Sequence, residues 1–254
     1  MTRLLKTDFY KMIKMTSFWV ISAIMAVLAI LNTFLPCFTY KQSGAIGELF
    51  GAAPFNYFVI LNQMLNSVTL PLIFVAMFAT FDFSTGVIKN VIPKGFSRVS
   101  MYFSKFIALI GATIFFSIIS TIVSFITSKI ILNGINISNF YTLQENQLTK
   151  LFLTLFGVIT YVALILLIST LIRSTGLAIT ITVLWVGFET MLYSVINIFI
   201  IGKVLKSDFK INPYTIPGAM AASSDFLKAF IVLSVYLVVT LAIGVFAFKK
   251  RDIN

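Results

Sequence analysis

Histidine is missing altogether and cysteine occurs once, at Cys37, in a chain of 254 residues. These two scarcities exclude Ser-His-Asp triads, Cys-His dyads and most zinc or haem sites. They also exclude a disulfide within the chain and a C-x-x-C redox pair, so Cys37 reads as structural. Acids are scarce as well, with 8 Asp and Glu against 19 Lys and Arg. They are spread about one to a segment, whereas a membrane enzyme needs a cluster of carboxylates or a nucleophile beside its base. The sequence also lacks a G-x-x-x-x-G-K-[ST] loop, so it has no cradle for the phosphates of ATP. No internal repeat or low-complexity tract is visible, which argues against transporters built from inverted repeats.

What fills the chain instead is hydrocarbon. Apolar residues make up 59% of it and charged residues only 11%, against about 25% charge in an ordinary soluble domain. The mean hydropathy is +1.02. A membrane-spanning helix takes about 20 mostly apolar residues, and the apolar runs lie at about 18–36, 57–81, 104–131, 151–172, 177–201 and 229–248. The expected fold is therefore an all-α integral membrane protein, one transmembrane domain over 1–254 with six transmembrane helices. Residues 2–16 precede them as an amphipathic interfacial helix, with Leu5, Phe9, Met12 and Ile13 at helical spacing and Lys6, Lys11 and Lys14 pointing elsewhere. The basic lead-in and the lack of a small-residue cleavage site read as a retained helix rather than a signal peptide.

The net charge of +11 sits at the ends of apolar runs rather than on one basic face, which favours anionic membrane lipids over nucleic acid as its partner. Lys41, Lys129, Lys150, Lys203, Lys206, Lys210 and Lys228 fall on one side of the expected bundle. The larger remainder falls on the other, and the positive-inside rule then places both termini in the cytoplasm. Only Arg173, Ser174, Thr175 and Gly176 separate the fourth and fifth spans, which makes them an antiparallel hairpin. Residues 202–226 carry Pro213 and Pro217 and are too broken to span, so they read as an extracellular lid or re-entrant segment.

Three groups of residues stand out. The second span carries Asn62, Asn66 and Thr69 at i, i+4 and i+7, with Gln63 beside them and Pro71 expected to kink the helix. Such a stripe either lines a translocation path or binds neighbouring helices. Glu189 lies near the middle of the fifth span, where a carboxylate costs a few kcal/mol. With Thr182, Tyr193 and Asn197 on the same face, it either lines a path or meets a partner subunit, or it glues helices together. The third group is the loop 82–101, where Asp82, Lys89, Lys94 and Arg98 interleave with Val87, Ile88, Val91 and Ile92 in a short amphipathic pattern closed by Pro93 and Gly95. A loop of this kind either docks another protein or is a solvated, positively charged connection.

In this loop an acid at Asp82, then Gly86-Val87-Ile88-Lys89-Asn90, then Gly95-Phe96-Ser97-Arg98 and Lys105 resembles the first cytoplasmic loop of type-2 ATP-binding-cassette permeases. Residues 4–14 resemble that family's amino-terminal elbow helix, especially in the small permeases of bacteriocin-immunity and amphipathic-peptide export systems. Where the family usually has Glu, this chain has Asp82. The resemblance implies a subunit of the bacterial cytoplasmic membrane that pairs with a second copy or a related permease. It also implies a separately encoded ATPase that carries the ATP and Mg, no cofactor in this chain itself, and a peptide substrate. Asp82, Gly86, Ile88, Lys89, Asn90 and Arg98 would then couple to the ATPase. Multidrug or lipid export fits the same traces, and the rival from another class is a stand-alone channel or secondary transporter, for which Glu189 would be the mid-span charge.

Overall fold

The computed structural model describes residues 2–49, 57–84, 97–133, 146–172, 174–199, 211–222 and 225–250; at 39–40, 42–49, 59–60, 63–64, 66 and 83–84 it describes the backbone alone. Among the described residues every regular element is helical. The chain runs α1 (Thr2–Lys14), α2 (Thr16–Leu49), α3 (Tyr57–Asn66), α4 (Thr69–Ser84), α5 (Arg98–Ile131), α6 (Gln147–Ile172) and α7 (Thr175–Val195). A 3-10 turn (Asn212–Tyr214), α8 (Ile216–Ala221) and α9 (Phe226–Lys250) follow. Among the described residues, five helical stretches are long and apolar enough to cross a membrane: Thr16–Phe38, Arg98–Ile131, Gln147–Ile172, Thr175–Phe199 and Phe226–Lys250. The chain is thus an all-α, multi-pass membrane protein.

The expected second span, 57–81, is two helices rather than one kinked helix. α3 ends at Asn66 and α4 begins at Thr69. Pro71 explains the position of the break, because its ring clashes with the carbonyl four residues back and it has no N–H to donate there. In the first turn of a new helix neither defect matters, and the ladder resumes with Leu72 N–H donating to the Val68 carbonyl. At 16 residues and about 1.5 Å per residue, α4 falls short of the roughly 30 Å of a hydrocarbon core. Pro36 behaves differently. It lies inside α2, which continues past the expected end at 36 to Leu49.

α6 is the central helix, packed against α3, α4, α5, α7, α8 and α9, and 61% of its most apolar window is buried. α7, at 11%, turns most of its surface outward. α4 is enclosed by α2, α5, α6 and α7, and Leu72, Phe74, Val75, Ala76 and Ala79 are fully buried. An aromatic knot joins these layers, with Phe18 of α2 stacked on Phe115 of α5 at 5.1 Å between centroids and edge-on to Phe74 of α4 at 5.6 Å. Since apolar burial gains little inside lipid, close packing of this kind is what holds such helices together. Two glycines show how close it is. The space a side chain would need at Gly157 is taken by Met220 of α8, and at Gly244 of α9 by the Tyr102 ring and hydroxyl of α5.

The described start and end of the chain lie at the same end of the bundle. Asp8 of α1 bonds to Ser104 near the start of α5, and Arg98 Nη1 donates to the Lys249 carbonyl of α9 at 2.9 Å. At the opposite end, in the segment read as a lid, residues 211–222 pack against α6 and α9 through the 3-10 turn and α8, burying Ile216, Ala219 and Met220. Asn197 fixes this segment, its Oδ1 accepting from Ile211 N–H at 2.8 Å and its amide donating to Asn212.

Candidate functional site

At the α1 end, two carboxylates and two ammonium groups meet inside the protein. α1 turns one face to α5 and α2, and that face buries Asp8 and Met12 while Ile13 remains 49% exposed. Of the apolar face expected from Leu5, Phe9, Met12 and Ile13, Met12 is buried, Phe9 packs on the core and Leu5 is half-buried, while Ile13 turns outward. Polar groups share that inward side: Asp8 Oδ2 accepts from Ser104 Oγ at 2.6 Å, and Lys11, expected to point away, reaches inward to Asp82 Oδ1 at 3.2 Å. Lys105 Nζ donates to Asp82 Oδ2 at 2.7 Å and to the Ala79 carbonyl at 3.4 Å. Asp82 thereby ties α1, α4 and α5 into one unit. Burial pushes the Asp8 carboxyl above its ordinary value, which the Ser104 bond and the neighbouring Lys105 only partly offset. A cavity of about 50 Å³ adjoins the cluster, lined by Asp8, Lys11, Asp82, Tyr102, Lys105 and Thr170 among others. Tyr102 Oη is buried there with no hydrogen-bond partner among the described residues.

Of the residues expected to couple to an ATPase, Gly86, Ile88, Lys89 and Asn90 lie outside the described residues. Asp82 and Arg98 flank them. Asp82 faces into the bundle, only 8% exposed, and Arg98 joins the start of α5 to the end of α9. Both flanks of the loop are thus anchored to other helices.

The polar stripe of the second span is interrupted by the helix break, so Asn62, Asn66 and Thr69 do not share one continuous helix. Asn62 Oδ1 accepts from Thr154 Oγ1 of α6 at 2.8 Å, an interhelical tie. Asn66 closes α3, Thr69 opens α4, and the side chains of Gln63 and Asn66 lie outside the described residues. Beside this break a cavity of about 480 Å³ opens between α3, α5 and α6.

Glu189 is 3% exposed although most of α7 faces outward. Tyr161 of α6 donates its hydroxyl to Glu189 Oε2 at 2.6 Å, while Oε1 is buried with no hydrogen-bond partner among the described residues. Tyr193, one turn further along α7, carries a second phenol on the same helix face. Thr182 bonds back to the Ala178 carbonyl, and Asn197 serves the 211–222 segment. The face expected as a single lining surface therefore divides into separate local tasks.

Sequence reasoning missed Asp8, Lys11, Ser104 and Tyr161. Tyr161 carried a signal, since a tyrosine deep in an apolar span needs a partner for its hydroxyl. Among the described residues there is no group of three or more His, Cys, Asp or Glu placed to hold a metal ion.

Apolar helices in this number, with buried polar ties between them, define a polytopic helical membrane protein. The chain belongs to the family described as "Protein of unknown function (DUF2705)", which it matches over residues 19–254. No curated protein matches the chain.

Proposed function

We propose that the chain is the transmembrane permease subunit of an ATP-driven exporter of the ATP-binding-cassette type, moving amphipathic or antimicrobial peptides out of the cell or the membrane. In this reading α3 and α4 together make the second of six spans. Both termini and loop 82–101 lie in the cytoplasm of a bacterial cell, and residues 202–226 lie outside. A separate subunit binds ATP and Mg and docks on the loop, and a second copy or a related permease completes the transporter. This chain carries no hydrolytic chemistry of its own.

The observation that supports this reading best is the anchoring of the loop's flanks. Asp82 connects one flank to α1 and α5, and Arg98 connects the other to α9. A push on the loop is then passed as a rigid-body displacement to four helices rather than dissipated in one. The test is affinity purification of the tagged chain from its native membrane in mild detergent, with mass spectrometry of whatever accompanies it in stoichiometric amount. The expected companion is a soluble protein with a phosphate-binding Gly-Lys-Ser/Thr loop. Repeated recovery of the chain alone, under conditions that keep a known transporter complex together, overturns the motor-driven reading.

One observation favours a second reading. The buried Glu189 carboxyl has one oxygen without a partner among the described residues, which suits a proton-carrying group in a secondary transporter. Transport that depends on a proton gradient and is abolished in Glu189→Gln would select that reading.

A further inference from the structure

The cavity of about 50 Å³ beside the ion cluster has room for about three water molecules, at roughly 10–15 Å³ each. Around it α1 supplies Thr7, Asp8 and Lys11, α4 supplies Asp82, and α5 supplies Tyr102 and Lys105. α6 and α9 add Leu166, Thr170 and Phe248, and no charged group among the described residues. Tyr102 is 2% exposed, and its hydroxyl has no hydrogen-bond partner among the described residues. A polar lining with an unpartnered hydroxyl in it suits water. Water in this space brings protons within reach of Asp8.

The two lysines share Asp82 unequally. Lys105 holds it at 2.7 Å and also donates to the Ala79 carbonyl, whereas Lys11 holds it at 3.2 Å, with a side chain 27% exposed against 12% for Lys105. Lys11 is therefore the looser of the two. It also follows Asp8 by three residues on α1, which puts both side chains on one helix face. Asp8 accepts from Ser104 through Oδ2, which leaves Oδ1 to carry or release a proton. Burial favours the protonated form. With Asp8 neutral, two ammonium groups face the one carboxylate of Asp82, and both bind it. Once Asp8 Oδ1 has given its proton to cavity water, a second carboxylate stands within reach of Lys11, while Asp82 keeps its shorter bond to Lys105.

We infer that Asp8 is a proton-binding switch: protonated, it leaves Lys11 on Asp82, and ionised, it draws Lys11 back along α1 and releases the tie between α1 and α4. The Lys105 bond persists in both states, so α4 stays joined to α5 while α1 comes loose from the start of the 82–101 loop. Acid thus couples α1 to this flank of the loop, and a rise in pH uncouples it. For its consequence the switch rests on the reading in which the loop receives a push from an ATPase. The exchange of partners by Lys11 requires no second protein.

The test uses the full chain in detergent micelles, from about pH 4 to pH 9. Infrared difference spectra locate the titration, as a carboxyl band that disappears with rising pH in the parent and is missing from Asp8→Asn. Hydrogen exchange, corrected for the chemical rate at each pH, then follows the backbone amides of residues 79–82. On the acid side of the transition Lys11→Met should exchange there about two- to fivefold faster than the parent, the worth of one partly exposed ion pair. On the alkaline side the two should coincide. Lys11 is partly exposed, so its replacement leaves the fold intact, and Asp8→Asn still offers Ser104 an acceptor. In the Asp8→Asn background, Lys11→Met should keep its deficit at every pH. No deficit at any pH, a deficit of equal size on both sides of the transition, or the absence of an Asp8 band overturns the inference. The step in a chain that purifies without an ATPase upholds the switch and removes the motor, whereas an ATPase companion on a chain without the step removes the switch alone.

Discussion

Asp82→Ala removes both oxygens that hold Lys11 and Lys105, and the consequences for the two lysines differ. The Lys105 side chain is 12% exposed and the Lys11 side chain 27%, so Lys11 can swing toward water while Lys105 stays inside. Lys105 keeps the Ala79 carbonyl at 3.4 Å, the face of Phe78 at 5.8 Å and the attraction of the neighbouring Asp8 carboxyl, but it loses the carboxylate at 2.7 Å. Breaking a buried pair by removing one partner costs about 3–5 kcal/mol, whereas a partly exposed pair contributes about 0–1 kcal/mol. Asp82→Ala is therefore expected to cost about 3–5 kcal/mol. A double-mutant cycle should give a coupling of about 1.5–3 kcal/mol for Asp82 with Lys105 and under about 1 kcal/mol for Asp82 with Lys11. For a chain of this size the single variant's loss corresponds to a fall in midpoint of roughly 6–20 °C, measurable by Trp fluorescence in detergent micelles. Added salt should shrink the Lys11 coupling and leave that of Lys105 nearly unchanged. Equal couplings for the two lysines, or an Asp82→Ala cost under about 1 kcal/mol, would refute the view that Asp82 is a buried tie rather than a surface charge.

Three further outcomes follow from the same geometry. Because burial holds the Asp8 carboxyl above its ordinary value, its contribution to stability is fully present below its unfolded pKa and is lost as pH rises through the folded one. Asp8→Asn, which does not titrate and still offers Ser104 an acceptor, should thus gain on the parent as pH rises through the carboxylate range, and a difference constant with pH would contradict the burial argument. Glu189→Gln keeps an acceptor for Tyr161 and should cost less than about 1 kcal/mol in an unfolding assay, while Glu189→Leu strands a buried hydroxyl at about 1–3 kcal/mol; indistinguishable variants would show that the Tyr161 bond does not hold α6 to α7. Gly244→Ala should cost about 1–3 kcal/mol by overpacking against Tyr102, with Tyr102→Phe, which deletes an unpartnered hydroxyl, neutral or stabilising alone and restoring part of the loss in the double variant; failure of the second change to rescue the first would place the strain elsewhere.

The apolar runs were legible because a membrane-crossing helix must satisfy all its backbone groups internally, so length and hydropathy nearly determine it. Five of the six expected runs appear as long helices. Pro71 gave the sixth away as irregular, but a kink and a complete break differ only in whether neighbouring helices hold the two halves in line. The ion cluster was not legible, since Lys11 and Asp82 are 71 residues apart and periodicity reports only the average face of a helix. Asp8 and Lys11 turn inward beside Met12, which a hydrophobic pattern does not report. Glu189 was visible as a misplaced charge, whereas its partner Tyr161 lay hidden among many aromatic residues with nothing in spacing to connect them.

The cavity beside α3 follows from what the two halves of the broken span meet. α4 buries Leu72, Phe74, Val75, Ala76 and Ala79 and carries Asp82 in its last turn, so dispersion contacts and the ion cluster both fix it. α3 carries polar ties: Tyr57 Oη donates to the Thr121 carbonyl at 3.0 Å and lies 3.1 Å from Ser124 Oγ, and Asn62 accepts from Thr154. Such bonds average about 0.6 kcal/mol between membrane helices, well below what a packed face supplies. At the cavity α5 meets α3 with small hydroxyl residues already bonded to their own backbone. A lining of serine and threonine in place of larger side chains leaves space beside α3, and the Pro71 break allows that arrangement without disturbing the tightly packed α4.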